Sequence, residues 1–446
     1  MHKALSLALE SIKKSVSIDE QQFLEAHQKS PKTSIKLNTN KIKDTNTLEF
    51  ILGKKIQWAD NSFYVDDRPA FYADPIFYAG GYYVMDASSM FLEYLLKQLN
   101  VSKNAYILDI AAAPGGKSII LSNYLNDEGV LWSNEINFNR AKILSYNLSK
   151  WGKCNFLVTN NDSVKFNAVQ DLFDVVVCDA PCSGSGLFRK YPEWMNTFNE
   201  KLVEQCVQRQ KQILQNIFCT IKSGGYLIYS TCSFTSEENE DIAQFIINNG
   251  FEHIEIDVPQ KWGILKSTMG LRFFPHLSNT EGFYYAVFQK INTSSTQIIH
   301  KFNKKNIPQK LPNKENFAFK DFIDWQSFHA AYQIKNKLFL SNQMIECVLS
   351  SGFNYLSIGT FIAEKNSHIP AAELALSLYL NQNILNLECS KDQAIKFLQK
   401  STLHIHAEKN LYLLRYKNLG LGWIKVLENR VNNYFPTEWR ILKDVE

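Results

Sequence analysis

The chain has 446 residues, 45% of them hydrophobic and 21% charged, with a formal net charge of +4. That is the composition of a soluble globular protein of roughly two to four domains, and its mildly basic balance permits a polyanionic partner without demanding one. No run of about 18 apolar residues occurs, which excludes an ordinary membrane-spanning helix, and the eight cysteines include no C-x-x-C pair or zinc-finger spacing.

The N-terminus, "MHKALSLALESIKKSV", has helical apolar spacing, carries Glu10 and lacks the continuous apolar core of a signal peptide. Scattered cysteines in so long a chain read as reduced thiols of a cytoplasmic protein. Residues 1–95 are expected to form a small α+β unit, with helix at "LALESIKK" and "FLEAH" and strand at "TSIKLNTNKI" and "FYVDD". From 96 to 292 apolar runs ending in small or polar residues alternate with helical segments. The runs are "AYILDI", "GVLWSNE", "CNFLVTN", "FDVVVCDAP", "GYLIYSTCS" and "GFYYAVFQK"; the helices include "NRAKILSYNLSKWG" and "LVEQCVQRQKQILQNIF". This alternation predicts an α/β fold with a doubly wound, mostly parallel sheet, whose ligand sits at the carboxyl ends of the strands. Residues 293–379 read as a linker and intermediate region, opening on a polar stretch with Lys301, Lys304, Lys305, Lys310 and Lys314. Residues 380–446 read as a separate unit, with short strands around a Gly-rich turn in "LYLLRYKNLGLGWIKVLENRVNNYF".

The segment "ILDIAAAPGGKS" is strand, turn and helix start. It is not a Walker A loop, because Ala111 stands where the first glycine is required, and it is not G-x-G-x-x-G. Asp109 at the strand end, a Pro114-Gly115-Gly116 turn and Lys117 at a helix start suit an amino-acid zwitterion, such as the methionine part of S-adenosylmethionine; a purely structural βα turn is the other reading. Glu135 after the second strand can accept from ribose hydroxyls, or be a surface acid. Asp162 after the third can accept from an adenine amino group, or cap the next helix. Three acids after three successive strands weigh more than any one of them.

The fourth strand runs into Asp179-Ala180-Pro181-Cys182 and the fifth into Ser230-Thr231-Cys232. If those strands are neighbours, two thiols 50 residues apart in sequence can converge on one cleft. Cys178, Cys206 and Cys219 fit ordinary buried positions. Cys182 and Cys232 sit beyond strand ends among small polar residues, where a thiol is accessible and its reactivity can be tuned.

The motifs "DIAAAPGGKS", "DAPCSGSGLFRKYPEW", "RQKQIL" and "GGYLIYSTCSFTSEENE" resemble those of the RsmB/NSUN family of RNA 5-methylcytosine methyltransferases. "YVMDASSM", "GLFRK" and "LGWIKVLENRVNNYFPTEWR" resemble its RsmF-like rRNA methyltransferases. The resemblance implies a Rossmann-like class I methyltransferase core, a small N-terminal α+β domain and a C-terminal PUA-like RNA-binding domain. It also implies S-adenosylmethionine as cofactor, held by Asp109, Ala111, Ala112, Ala113, Pro114, Gly115, Gly116, Lys117, Glu135, Arg140, Asp162 and Asp179. Cys232 is implied as the nucleophile, Cys182 as the group that releases the product, and Asp179 as the contact to the cytosine edge. Arg189 and Lys190 are expected at RNA phosphate or cytosine, with a solvated basic pair as the plain alternative. Lys425, Arg430 and Arg440 are candidate phosphate contacts, each equally consistent with ordinary surface charge. Met85-Asp86 and Ser185 depart from the subgroup pattern, which has Gln-Glu and Glu there. His404 and His406 lack a third ligand nearby in sequence and read as structural.

The expected partner is ribosomal RNA or the small ribosomal subunit, with no metal and no membrane, for a chain acting as a monomer. A tRNA substrate and a non-catalytic RNA-binding assembly factor are the alternatives; the latter would need neither thiol. A nucleotide hydrolase is disfavoured by Ala111. DNA cytosine methylation uses the Pro-Cys cysteine as nucleophile and needs no Thr-Cys partner.

Overall fold

A computed structural model describes residues 2–291, 307–311, 319–349 and 352–443. Lys301, Lys304, Lys305 and Lys314 of the basic stretch lie outside the described residues. Lys310 is described, and it pairs with Glu346 at 2.6 Å.

The N-terminal region divides its packing. Helices α1 (Lys3–Ile12) and α2 (Glu20–His27) bury Ala4, Leu5, Ala8, Leu9, Ile12 and Phe23. These side chains meet Phe188, Phe198, Phe234 and Phe274 of the central unit, so the helical spacing at the N-terminus serves the loops beyond the central strands. Strands β1 (Thr33–Leu37), β2 (Ser62–Val65) and β3 (Tyr82–Val84), with the one-turn helix α3 (Pro75–Tyr78) between the last two, make an antiparallel sheet ordered β2-β1-β3. Its core, Ile35, Leu37, Ile76 and Tyr82, is continuous with Phe397, Leu398 and Leu414 near the C-terminus. Helix α4 (Phe91–Gln98) leads into the central unit.

There β4 (Tyr106–Asp109), α5 (Gly116–Tyr124), β5 (Val130–Asn134), α6 (Phe138–Trp151), β6 (Phe156–Thr159), β7 (Phe173–Asp179), α7 (Glu200–Ile217), β8 (Ile221–Thr231) and α8 (Glu240–Ile247) follow the expected alternation. A β-rich stretch that the sequence reading did not resolve comes next: β9 (Phe251–His253), β10 (Leu265–Ser267) and β11 (Gly270–Phe273). The short α9 (Pro275–Ser278) then leads into β12 (Phe283–Lys290). β6-β5-β4-β7-β8 are parallel neighbours and β12 is antiparallel to β8. The order reverses direction at β4, between β5 and β7, which opens a crevice at the carboxyl ends of these strands. β4, β5, β6 and β7 are covered on both faces, hence their continuous apolar runs.

The region expected to be a linker carries its own sheet. β13 (Gln309–Lys310), β14 (His329–Ile334), β15 (Lys337–Asn342) and β17 (Thr360–Glu364) form it, while β16 (Tyr355–Ile358) adds an antiparallel edge to β6 of the central sheet. The alternating "HAAYQI" and "KLFLSN" runs, turning at Lys335 with φ 53°, explain this hairpin. After α10 (Ala372–Ala375) come β18 (Asn386–Glu388), α11 (Lys391–Gln399), β19 (Leu411–Tyr416), β20 (Leu419–Val426) and β21 (Val431–Asn433). The expected Gly-rich turn is instead Lys417-Asn418, both with positive φ. Gly420 and Gly422 lie inside β20, where a Cβ would meet the Ala375 carbonyl oxygen at 2.2 Å and the Phe397 ring at 2.7 Å; here close packing, not turning, requires glycine. Among the described residues no helix is long and apolar enough to cross a membrane, and no cluster of three or more metal-ligating side chains occurs.

Candidate functional site

The carboxyl end of β4 opens into the turn 110–115. Gly115 caps α5 with φ 116°, a conformation that side chains rarely adopt. The turn is braced from α6: Asn147 donates to the Pro114 carbonyl at 2.8 Å, and Arg140 donates to the Ala113 carbonyl at 2.7 Å. The turn thereby directs the first amides of α5 at the crevice, an electropositive end suited to a carboxylate. Ala112 and Ala113 are buried, Ala111 and Gly116 half-buried, and Pro114 exposed.

Asp109, expected at the cofactor's ammonium, ends β4. It is fully buried, and one carboxylate oxygen accepts from Ser118 at 2.6 Å while the other has no hydrogen-bond partner among the described residues. Burial pushes its carboxyl up to about 7. Asp179, at the end of β7, has a side chain a third exposed.

Glu135, immediately after β5, is nearly buried. It accepts from the Asn137 amide at 2.9 Å and has the Arg140 guanidinium 3.7 Å away. Asp162 is exposed and accepts from the Val164 amide at 2.9 Å, so the capping alternative holds, with its second oxygen turned from that cap. Two apolar side chains flank these acids and stand in solvent: Ile136 is 64% exposed and Val164 53%. The sequence reading passed over both; their signal is an aliphatic residue at or near the acid after a strand.

Asp179 and Ser230 are register partners at the ends of β7 and β8. Asp179 accepts from Ser230 at 2.8 Å through one oxygen and from Lys117 at 2.8 Å through the other. The two chains then bend toward each other and bring Cys182 Sγ within 3.0 Å of Cys232 Sγ. Both cysteines are free and half-buried. Contact with Cys232, then burial and the charge of Glu238, push the Cys182 thiol well above its usual range. Cys178 and Cys206 are buried and Cys219 half-buried within packed elements, as their positions predict.

The loop after Cys182 is held tightly. Gly184 turns it with φ 73°. Gly186 donates to the Cys232 carbonyl at 2.9 Å, and a Cβ on it would lie 2.3 Å from the Gly282 carbonyl oxygen. Ser185, a departure from the subgroup pattern, is fully buried and accepts from the Phe234 amide at 2.8 Å. Asp86, the other departure, accepts from the Glu281 amide at 3.2 Å. Arg189 does not reach out for phosphate. It is buried on Glu281 at 2.5 Å and also donates to the Thr280 carbonyl, so it ties the loop to the start of β12. Lys190 is exposed beside Tyr191, which stacks on Trp194. Lys425, Arg430, Arg440, His404 and His406 are all exposed.

This strand order, with a glycine turn after its first strand, an acid after its second and paired loops after its fourth and fifth, defines a Rossmann-like methyltransferase core. Comparison with known proteins agrees: residues 96–289 match the family described as 16S rRNA methyltransferase RsmB/F. Residues 8–87 match the N-terminal domain of 16S rRNA methyltransferase RsmF, and 384–441 the methyltransferase RsmF PUA domain. The chain belongs to the RsmB/F family of S-adenosylmethionine-dependent RNA methyltransferases, with the RsmF N-terminal and PUA domains.

Similar curated proteins include ribosomal RNA small subunit methyltransferase F of Vibrio cholerae, 27% identical over 93% of each chain. Another, of the same description, is from Shewanella piezotolerans: 26% identical over 95% of this chain and 94% of that one. Among solved structures, a methyltransferase homologue from Pyrococcus horikoshii is 27% identical with a TM-score of 0.54, covering 64% of this chain and 95% of its own. NSun6 from Pyrococcus horikoshii, solved with SFG, is 18% identical with a TM-score of 0.55 and shares the fold, covering 66% of this chain and 99% of that one.

Proposed function

We propose that the protein methylates C5 of a cytosine in small-subunit ribosomal RNA, through a covalent adduct on Cys232 that Cys182 helps to release. The observation that carries this reading is the meeting of the two thiols at 3.0 Å beside Asp179. An RNA-binding assembly factor has no use for two accessible thiols at one cleft. The names of the curated relatives supply the small-subunit rRNA.

The crevice fits S-adenosylmethionine. The amides of α5 suit the carboxylate, Asp179 the ammonium, Glu135 the ribose hydroxyls and Asp162 the adenine amino group. Ile136 and Val164, apolar side chains otherwise left in water, are suited to cover the adenine faces. Bound there, the cofactor supplies an electrophilic methyl group.

Neutral cytosine is a weak nucleophile at C5. The Cys232 thiolate adds to C6, and the displaced π electrons make C5 enamine-like, able to take the methyl group. The raised Cys182 thiol, held protonated by its contact with Cys232 and by burial, is poorly suited to be the attacking group, which supports this division of roles. Asp179 and its partner Lys117 offer an acceptor and a donor to the polar edge of the base, where charge develops on N3. After transfer the C5 proton must go. Cys182, after releasing its own proton to water, accepts it; the electron pair re-forms the C5–C6 double bond, and the Cys232–C6 bond breaks with its electrons returning to sulfur.

Both faces of the ring must be reached, so the base leaves its stack. The test is bisulfite sequencing of RNA from a strain lacking the gene, complemented by wild type or by Cys232→Ser. One rRNA cytosine should lose protection in the deletion and regain it only with wild type. Loss at a tRNA position instead would move the substrate, and no loss anywhere would defeat the reading.

A further inference from the structure

Glu238 lies in "FTSEENE" after Cys232, a stretch whose acids the proposed chemistry does not use. Glu237 goes to Ser11 and Lys14, and Glu240 to the buried Arg272. Glu238 is different: its side chain is fully buried and has no ion-pair partner among the described residues. Its carboxylate instead accepts from both cysteine loops. From the Cys182 side come the Ser183 amide at 2.8 Å and the Ser183 hydroxyl. From the Cys232 side come the Ser233 hydroxyl at 2.6 Å and the Thr235 hydroxyl at 2.9 Å. Gln210 of α7, inside the "RQKQIL" motif, donates to Glu238 at 3.0 Å and to the Pro181 carbonyl at 3.1 Å. The neighbouring Asn239 takes a hydrogen bond from Thr231 and donates to the Ser233 carbonyl, which fixes the turn around Cys232 from below.

A buried carboxylate is costly unless its lone pairs are filled, and here five donors from three segments fill them. The arrangement holds only while Ser183 and Ser233 stay side by side. Those serines directly follow Cys182 and Cys232. We propose that Glu238, supported by Gln210, is a positioning residue that clasps the Pro-Cys loop to the Thr-Cys loop and thereby sets the spacing of the two thiols. This rests on the proposed roles of the thiols, but its geometric content can be tested without RNA.

Diamide accepts the two thiol hydrogens as an S–S bond forms, so its rate of cross-linking reads how often two sulfurs meet. In the full-length reduced protein, the Cys182–Cys232 disulfide is followed by peptide mapping, which separates it from the other cysteines. Glu238→Ala should cross-link at least about tenfold more slowly, since an ångström of misplacement is enough for such a loss in a reaction of two aligned groups. Glu238→Gln keeps an oxygen toward Ser183 and Gln210 and presents an amide to hydroxyls that can rotate to accept, so it should restore most of the rate. S-adenosylmethionine affinity should be unchanged in both variants. Should Glu238→Ala fail to fold, Gln210→Ala removes one of the five donors together with the tie to the Pro181 carbonyl and should itself slow cross-linking. A folded Glu238→Ala, or failing that a folded Gln210→Ala, that forms the disulfide at the wild-type rate overturns the clasp. Failure of wild type to methylate RNA would overturn the proposed function and leave the cross-linking result standing.

Discussion

Cys182 and Cys232 stand 50 positions apart in the chain, yet their sulfurs lie 3.0 Å apart beyond the ends of two adjacent parallel strands. Each follows a strand of the same sheet by no more than three residues, so register alone brings them close. The contacts of Gly186 with Cys232 and of Ser185 with Phe234 then close the remaining gap.

Different defects should therefore follow from removing either thiol. Cys232→Ser should abolish both methylation and the covalent adduct, because an alcohol is far harder to ionise than a thiol. Cys182→Ala should still transfer a methyl group but release product about 10²-fold more slowly or worse, the usual cost of losing a positioned proton acceptor. Radiolabelled RNA on a denaturing gel distinguishes them: a retained protein–RNA band for Cys182→Ala and none for Cys232→Ser. A turnover-competent Cys232→Ser would reverse the assignment.

On the cofactor side the acids separate by burial. Glu135→Ala should weaken S-adenosylmethionine binding by roughly tenfold or more, the value of one or two charge-assisted hydrogen bonds. Asp109→Asn should leave that affinity nearly unchanged, since Asp109 is sealed under the turn and bonded to Ser118. Calorimetric titration of both variants checks the contrast, and equal losses would return Asp109 to the binding site.

The legible part of this protein was the part governed by strand period and strand end. Every strand from β4 to β8 announces itself as an apolar run closing on a small or polar residue, and Glu135, Asp179, Cys182 and Cys232 stand where such runs stop. What a side chain does after leaving a strand was harder to read. Arg189 and Lys190 are adjacent and basic, but only the three-dimensional path of the loop puts Glu281 next to one and water next to the other. Glu238 looked like one more acid in a polar run, because three of its five donors come from Ser183 and Gln210, 55 and 28 positions away in the chain. The 309–364 region reads from sequence as a linker and intermediate stretch without a delimited sheet, because its pairings cross the chain: β16 joins a strand some 200 residues earlier.

Arg189 and Lys190 should behave oppositely. Arg189→Ala leaves the Glu281 carboxylate buried without its partner, a defect of about 3–5 kcal/mol, read as a lower denaturation midpoint. Lys190→Ala should leave stability intact and lower the salt dependence of RNA binding by about one counterion if Lys190 meets a phosphate. An unchanged salt slope assigns Lys190 to the solvated surface.

Asp109 also predicts a pH signature. Its folded pKa of about 7 lies above the value of about 3.9 expected in the unfolded chain. Between those values the folded protein holds a proton that the unfolded chain has released, so this group's contribution to stability falls as pH rises from about 4 to 7 and then levels off. The carboxamide introduced by Asp109→Asn cannot ionise and keeps the acceptor that Ser118 uses. The stability gained by that substitution over wild type should therefore grow between pH 5 and pH 8, by about 2–3 kcal/mol for the two units crossed before the plateau. Taking the difference between the two proteins cancels the titration of other groups in that window, such as Lys41 and Lys150, which burial pulls down to about 7. Urea denaturation at the two pH values measures it, and a gain that is the same at both would mean that Asp109 is already ionised in the folded protein at pH 5.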